Sequence, residues 1–295
     1  MSSQLNAPES RRSGQANAFP RGRVFVWIPE RAPELETLLY FPHSVAIPTR
    51  ALVTVHGIGR NAMEHALMFA AQAERAGVAI IAPMFSDRRF RGYQTLRKRR
   101  HGLAPELSFE TMLDELAAAS GLDLQRLSLF GYSGGGQFAH RYAMVRPGRL
   151  HRLTVGAAGW YTFPDAQVCY PQGLADLPAR LGEIDLPAFL RVPVHVLVGD
   201  DDLQRDDALN QTLEIDQRQG LTRVERGQRW VGALRAEARA RQMPARANLS
   251  LLPGVTHSFS DAVVHGGMDQ AVFDFHFGGD ACPSLTEPDD AGGAR

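Results

Sequence analysis

A short apolar run at 127–130 leads into Gly131-Tyr132-Ser133-Gly134-Gly135, and a helical pattern starts directly after it. Few local patterns restrict a chain as much. A serine between two such glycines, on a turn from strand to helix, must take a strained backbone so that its hydroxyl projects above the sheet edge. Side chains at positions 131 and 135 would collide as the helix folds back on the strand. The helix also aims its first N–H groups at the serine, where developing negative charge can be met. The glycine-rich phosphate loops use a similar turn, but their spacings, G-x-x-x-x-G-K-[ST] and G-x-G-x-x-G, are missing here.

The rest of the chain supplies the matching scaffold. Apolar runs at 24–28, 38–41, 51–55, 78–82, 127–130, 153–157, 194–198 and 248–252 read as strands. Helical periodicity falls at 61–76, 108–120, 135–145, 227–241 and 261–273, with Gly77 as an expected C-cap and Ser108 as an expected N-cap. Strands apolar on both faces, separated by helices, predict an α/β fold: a mostly parallel central sheet with helices on both faces. In such sheets ligands bind beyond the carboxyl ends of the strands. The expected organisation is a flexible arm at 1–20, one domain at 21–276, and a flexible tail at 277–295. A short cap-like insertion at 159–192 separates the sixth and seventh strands.

The 295 residues carry 32 basic and 32 acidic side chains, so no bulk charge draws the chain to nucleic acid or to an anionic membrane. The N-terminal segment has no apolar core, and Arg11-Arg12 is not followed by a hydrophobic stretch. No run reaches the roughly 18 apolar residues of a membrane helix, so the expected location is the cytoplasm. Cys169 and Cys282 read as free thiols in a reducing compartment. The one dense charge cluster, Arg88-Arg89-Phe90-Arg91 and Arg97-Lys98-Arg99-Arg100, reads as a solvated loop that could steer an anion. No H-E-x-x-H, paired-cysteine or dinucleotide fingerprint occurs, so neither metal nor cofactor is expected. The sequence carries no signal of oligomeric state.

A serine hydroxyl becomes an effective nucleophile when an imidazole takes its proton. Among the histidines after Ser133, His257 lies just beyond a late strand, in Pro253-Gly254-Val255-Thr256-His257, where a free loop can hang the ring over the serine. His265 lies inside the last expected helix. The strand at 194–198 leads into Gly199-Asp200-Asp201-Asp202, so any of three aspartates could orient the imidazole. An acyl-transfer oxyanion needs two fixed donors. The N–H of Gly134 is the first, and the N–H of Ile58 in His56-Gly57-Ile58-Gly59 is the favoured second, with Gly57 as the alternative. His56 reads as a buttress of that loop. Trp160, Tyr161 and Phe85 are the expected substrate-binding side chains, for a small-molecule acyl substrate.

These residues together resemble the α/β-hydrolase superfamily over roughly 22–275, and within it bacterial esterases of the polyhydroxybutyrate-depolymerase-like kind. The similarity is carried by His56-Gly57-Ile58-Gly59-Arg60-Asn61, by Gln137-Phe138-Ala139-His140-Arg141 after the serine turn, by Gly159-Trp160-Tyr161, and by the stretch from Gln219 to Gly227 with Arg223, Glu225 and Arg226. The serine turn departs from the more usual Gly-His-Ser-Ala-Gly. The resemblance implies cofactor-free hydrolysis of a carboxylic ester or related acyl bond by Ser133, Asp202 and His257. It selects Asp202, three residues after the strand-ending glycine, with Asp201 second. A peptidase or amidase on the same residues, or a binding protein that has lost catalysis, are the alternatives.

Overall fold

The computed structural model describes residues 10–12, 19–46 and 48–279. The described strands are β1 Ser10–Arg12, β2 Val24–Ile28, β3 Thr37–Tyr40, β4 Ala51–Val55, β5 Ala79–Pro83, β6 Leu127–Tyr132, β7 Leu150–Gly156, β8 Val194–Gly199 and β9 Ala247–Leu252. They form one sheet in the order β1-β2-β3-β5-β4-β6-β7-β8-β9. The pairs β2–β3 and β3–β5 are antiparallel, and every other pair is parallel. The rest of the expected N-terminal arm, nearly all of the expected tail, and Cys282 lie outside the described residues.

The helices are α1 Ala62–Ala76, α2 Asp87–Phe90, α3 Pro105–Ser120, α4 Gly134–Val145, α5 Leu186–Leu190, α6 Leu213–Gln219, α7 Arg223–Ala240, α8 Phe259–Val264 and α9 Met268–Phe277. β4, β5 and β6 are buried along their whole length, as strands covered on both faces must be. Alternate residues feed two cores. Val53, Leu129, Val155 and Val196 pack with Phe109, Phe138 and Trp230 of α3, α4 and α7. Leu52, Ile80, Phe130 and Leu197 pack with Phe69, Phe259 and Phe273 of α1, α8 and α9. The two-residue period of the strand thus sorts the side chains between the layers.

Gly77 ends α1 in the left-handed conformation, φ 63°, with its N–H on Ala73 O, as the sequence predicts. Other helix boundaries are corrected. Pro105 opens α3 ahead of Ser108, because its fixed φ suits the first helical position. Thr222 caps α7, its hydroxyl accepting from Glu225 N, so the helix begins at Arg223, four residues before the expected start. The last expected helix is two, α8 and α9, divided by Gly266-Gly267, with Gly267 at φ 63°.

Strand order reverses direction around β4, which has β5 on one side and β6 on the other. Chain leaving β4 and chain leaving β6 therefore diverge and open a crevice at the carboxyl edge of the sheet. Ser133 and Ile58 stand at that crevice.

Candidate active site

Ser133 follows β6 directly and has φ 53° and ψ −116°, left-handed for a residue with a side chain. Such a backbone is strained by about 1–3 kcal/mol and persists only where the surroundings enforce it. Here Ser133 N–H donates to Gly156 O at 2.7 Å, tying the turn to β7. The two glycines are required by contact. A Cβ at Gly131 would lie 2.2 Å from Gly135 O, and one at Gly135 would lie 1.9 Å from Val55 O on the neighbouring strand.

His257 reaches this serine. Its Nε2 lies 3.0 Å from Ser133 Oγ, and its Nδ1 lies 2.8 Å from Asp202 Oδ2. The carboxylate fixes the tautomer: Nδ1–H donates to Asp202, which leaves Nε2 free to accept from the hydroxyl. The imidazole also stacks on Tyr132, the residue before the serine, at 5.6 Å between ring centres. The loops from β8 and β9 are tied together beneath it, with Asp201 N–H on Val255 O at 3.1 Å and Gly254 N–H on Asp200 Oδ1 at 2.7 Å. The three aspartates therefore differ in use: Asp200 holds the neighbouring loop, Asp201 faces solvent, and Asp202 is buried against the imidazole.

Asp202 has a second partner that sequence reasoning did not find. Its Oδ1 accepts from Arg223 Nη1 at 3.0 Å, and both side chains are at most 1% exposed. Arg223 Nη2 reaches on to Asp206, at 2.9 and 3.2 Å from its two oxygens. The only sequence signal was the presence of Arg223 in the Gln219–Gly227 stretch.

The loop after β4 closes the other side. A Cβ placed on Gly57 would sit 3.4 Å from Ser133 Cβ, and one placed on Gly134 would sit 3.2 Å from Ile58 N. The Ile58 and Gly134 backbones are thus adjacent beside the hydroxyl. As the first residue of α4, Gly134 has no acceptor for its N–H within the helix. His56 is buried and braces this loop: its Nε2 accepts from Phe85 N–H at 3.0 Å, so Nδ1–H donates to Gly57 O at 2.8 Å. Burial holds its pKa down at about 4, so the ring stays neutral. Tyr93, also missed in the sequence, donates its hydroxyl to His56 O at 2.9 Å, and the Tyr93 hydroxyl oxygen is 2.8 Å from where a Gly134 Cβ would stand.

The expected substrate-binding side chains separate. Phe85 has no exposed surface; it stacks on Tyr93 at 5.2 Å and meets Phe138 at a tilt at 4.8 Å. Tyr161 has none either and stacks on Trp230 at 4.7 Å. Both are core residues, because the loops after β5 and β7 turn their aromatic rings inward onto α4 and α7. Trp160 is partly exposed, its ring covered on one face by the Arg141 guanidinium at 4.2 Å. The insertion is fastened to the body, with Trp230 Nε1–H on Thr162 O at 2.8 Å and the Gln219 amide bonded to both Tyr161 N and Tyr161 O. Among the described residues, no cluster of three or more His, Cys, Asp or Glu side chains is placed to hold a metal, and no helix is long and apolar enough to cross a membrane.

No protein-family model matches the chain, and no curated protein does. Solved structures do. A poly(aspartic acid) hydrolase-1 of Sphingomonas sp. KT-1 is 28% identical, covering 82% of this chain and 93% of its own, with a TM-score of 0.69. A poly(3-hydroxybutyrate) depolymerase of Bordetella parapertussis is 25% identical over 91% of this chain and 92% of its own, with a TM-score of 0.68. An S-formylglutathione hydrolase of Agrobacterium tumefaciens shares the fold at 16% identity, covering 86% and 94%, with a TM-score of 0.57.

Proposed function

We propose that this chain, which has the α/β-hydrolase fold, is a serine hydrolase that cleaves a carboxylic ester through an acyl-enzyme. The observation that carries the reading is the unbroken hydrogen-bond chain from Ser133 Oγ through His257 to Asp202, at 3.0 and 2.8 Å, built on a strained turn. In this reading Ser133 Oγ attacks the carbonyl carbon while His257 Nε2 takes its proton. Asp202 keeps Nδ1 protonated and stabilises the imidazolium that results. The carbonyl oxygen, now negative, lies between the N–H groups of Gly134 and Ile58, donors of a kind each worth about 10²–10³ in rate. The imidazolium returns its proton to the leaving alcohol, and water repeats the cycle on the acyl-enzyme. The names of the two neighbours at 25% and 28% identity, a depolymerase and a hydrolase, support the reaction class.

Labelling with a fluorophosphonate, together with turnover of p-nitrophenyl esters, tests the proposal. The expected result is one label on Ser133 and loss of both signals in Ser133→Ala. Folded native protein that takes no label overturns it.

One observation favours a second reading, an amide substrate of acidic character. Arg88, Arg97, Lys98, Arg99 and Arg100 form no ion pair among the described residues, and they flank Tyr93, whose hydroxyl oxygen lies beside the Gly134 backbone. The poly(aspartic acid) hydrolase is named for an acidic polyamide. Esters set against anilides, each with a neutral or a succinyl acyl group, separate the two. The second reading requires succinyl anilides to be turned over, with kcat/KM falling as salt rises.

A further inference from the structure

The Gln219–Gly227 stretch has no part in the chemistry described above, yet its Arg223 touches the buried carboxylate of Asp202. Each oxygen of Asp202 has one partner, His257 Nδ1 at 2.8 Å and Arg223 Nη1 at 3.0 Å. A buried carboxylate with a spare oxygen can rotate, or be left with an unmet acceptor. Arg223 removes both options, because a guanidinium presents its donors in a fixed plane and does not lose its charge. It also places a permanent positive charge on the far side of the group that stabilises the imidazolium.

That charge is in turn balanced. Arg223 Nη2 is held by both oxygens of Asp206, at 2.9 and 3.2 Å, and Arg223 Nη1 also reaches Gln204 O at 3.4 Å. Asp202, Arg223 and Asp206 together carry one net negative charge. Among the described residues, the other groups around the assembly are Arg226 on α7, Tyr132 at the end of β6 with Asp261 of α8 beside it, and Tyr161 in the insertion. The two tyrosines are buried, and desolvation pushes both hydroxyls up, so they stay neutral. Asp206 is held below the usual carboxylate range: burial works against this, but bonds to Arg223 and the field of His257 outweigh it.

We propose that Arg223 is a positioning residue which locks the second oxygen of Asp202 and, with Asp206 as its counter-ion, sets the pH range over which Ser133 reacts. The inference rests on the reading of Ser133, Asp202 and His257 given above. Its consequence is a pair of opposite effects. Removing Arg223 leaves two negative charges beside the imidazole, which favours imidazolium and moves the acid limb of activity to higher pH. Removing the charge of Asp206 leaves none in balance, which disfavours imidazolium and moves that limb to lower pH. A residue that only held the loop in shape would change the rate without this sign reversal.

The rate of fluorophosphonate labelling at Ser133, followed from pH 5 to 9 on the full chain, reads the effect directly. Relative to native protein, Arg223→Met is expected to move the acid limb up by about one unit and Asp206→Asn to move it down by about half a unit. Arg223→Lys keeps the charge but not the fork, so the limb stays in place while the plateau rate falls. Asp206 is partly exposed, and an asparagine can still accept from Ala208 N–H and Leu209 N–H, so Asp206→Asn folds even if Arg223→Met does not. Native protein that labels while Asp206→Asn and any folded Arg223→Met keep its profile overturns the inference. Shifts of the same sign in both variants do so as well. Native protein that does not label overturns the underlying reading instead, so the two failures are distinguishable.

Discussion

At the scale of single residues, Ser133 trades stability for position. Its φ of 53° is tolerable for glycine and strained for serine. Ser133→Gly is therefore expected to be as stable as the native chain or more so, by about 1 kcal/mol, with no ester turnover. Thermal melts beside p-nitrophenyl acetate assays check both halves. The aspartate run gives a sharper contrast. Asp202 is buried on the imidazole, while Asp201 is exposed and contributes its backbone N–H. Asp202→Asn is expected to lower kcat about 10³–10⁴-fold by spoiling the imidazole tautomer, and Asp201→Asn to leave it within about twofold. Equal losses in the two would place the orienting carboxylate elsewhere. Sequence spacing left three adjacent aspartates open, and the family resemblance picked out the one that meets the ring. Spacing could not do so, because which of three successive side chains turns inward depends on how the β8 and β9 loops are pinned together.

The elements explain why the site stands firm. Gln219, the last residue of α6, bonds the N–H and the carbonyl of Tyr161, while Arg226 on α7 bonds Gly220 O, Gly159 O and Asp216 at 2.5–2.8 Å. The insertion after β7 is thus held through its main chain by α6 and α7. Gln219→Ala leaves a buried N–H and a buried carbonyl without partners, and is expected to cost about 2–4 kcal/mol in urea unfolding. It should also slow ester turnover by loosening the insertion and the end of α6, which runs into α7 and Arg223. The strands were legible in sequence because short runs rich in apolar residues, bounded by turn residues, leave little else to form. The helix termini were less so. Pro105 and Thr222 lie upstream of the first periodic apolar residue, and Gly266-Gly267 divides a pattern that keeps its period across the break.

For the whole molecule, two cores meet on opposite faces of one sheet, and polar groups are carried inside with them. His56 and His195 are held at about 4 by burial, and His65, His140 and His276 are also held well below the usual histidine value for the same reason. In the unfolded chain these rings take protons near pH 6.5, whereas in the folded chain they resist. The unfolded state therefore binds more protons across that interval, and stability falls as pH drops from about 6.5 toward 4. Melting temperatures recorded from pH 8 to 4 should decline most steeply in this window. A flat profile would mean that these histidines are not buried neutral in solution.

Sequence by itself determined the parts that depend on near neighbours along the chain: the strand runs, the Gly77 cap, the glycines that flank Ser133, and the α/β layering that alternating apolar runs impose. Such features follow from backbone sterics and from the period of a strand or helix, which a window of a few residues already contains. Only the tertiary structure decided what depends on residues far apart. Phe85 and Tyr161 became core instead of pocket, because their rings face helices from distant segments. Arg223 came to lie on Asp202, and Tyr93 beneath the Gly57–Ile58 loop, because the sheet order brings the ends of β4, β5, β6 and β8 to one edge. Contact there is set by packing across the sheet, and no local pattern encodes which buried side chain meets which.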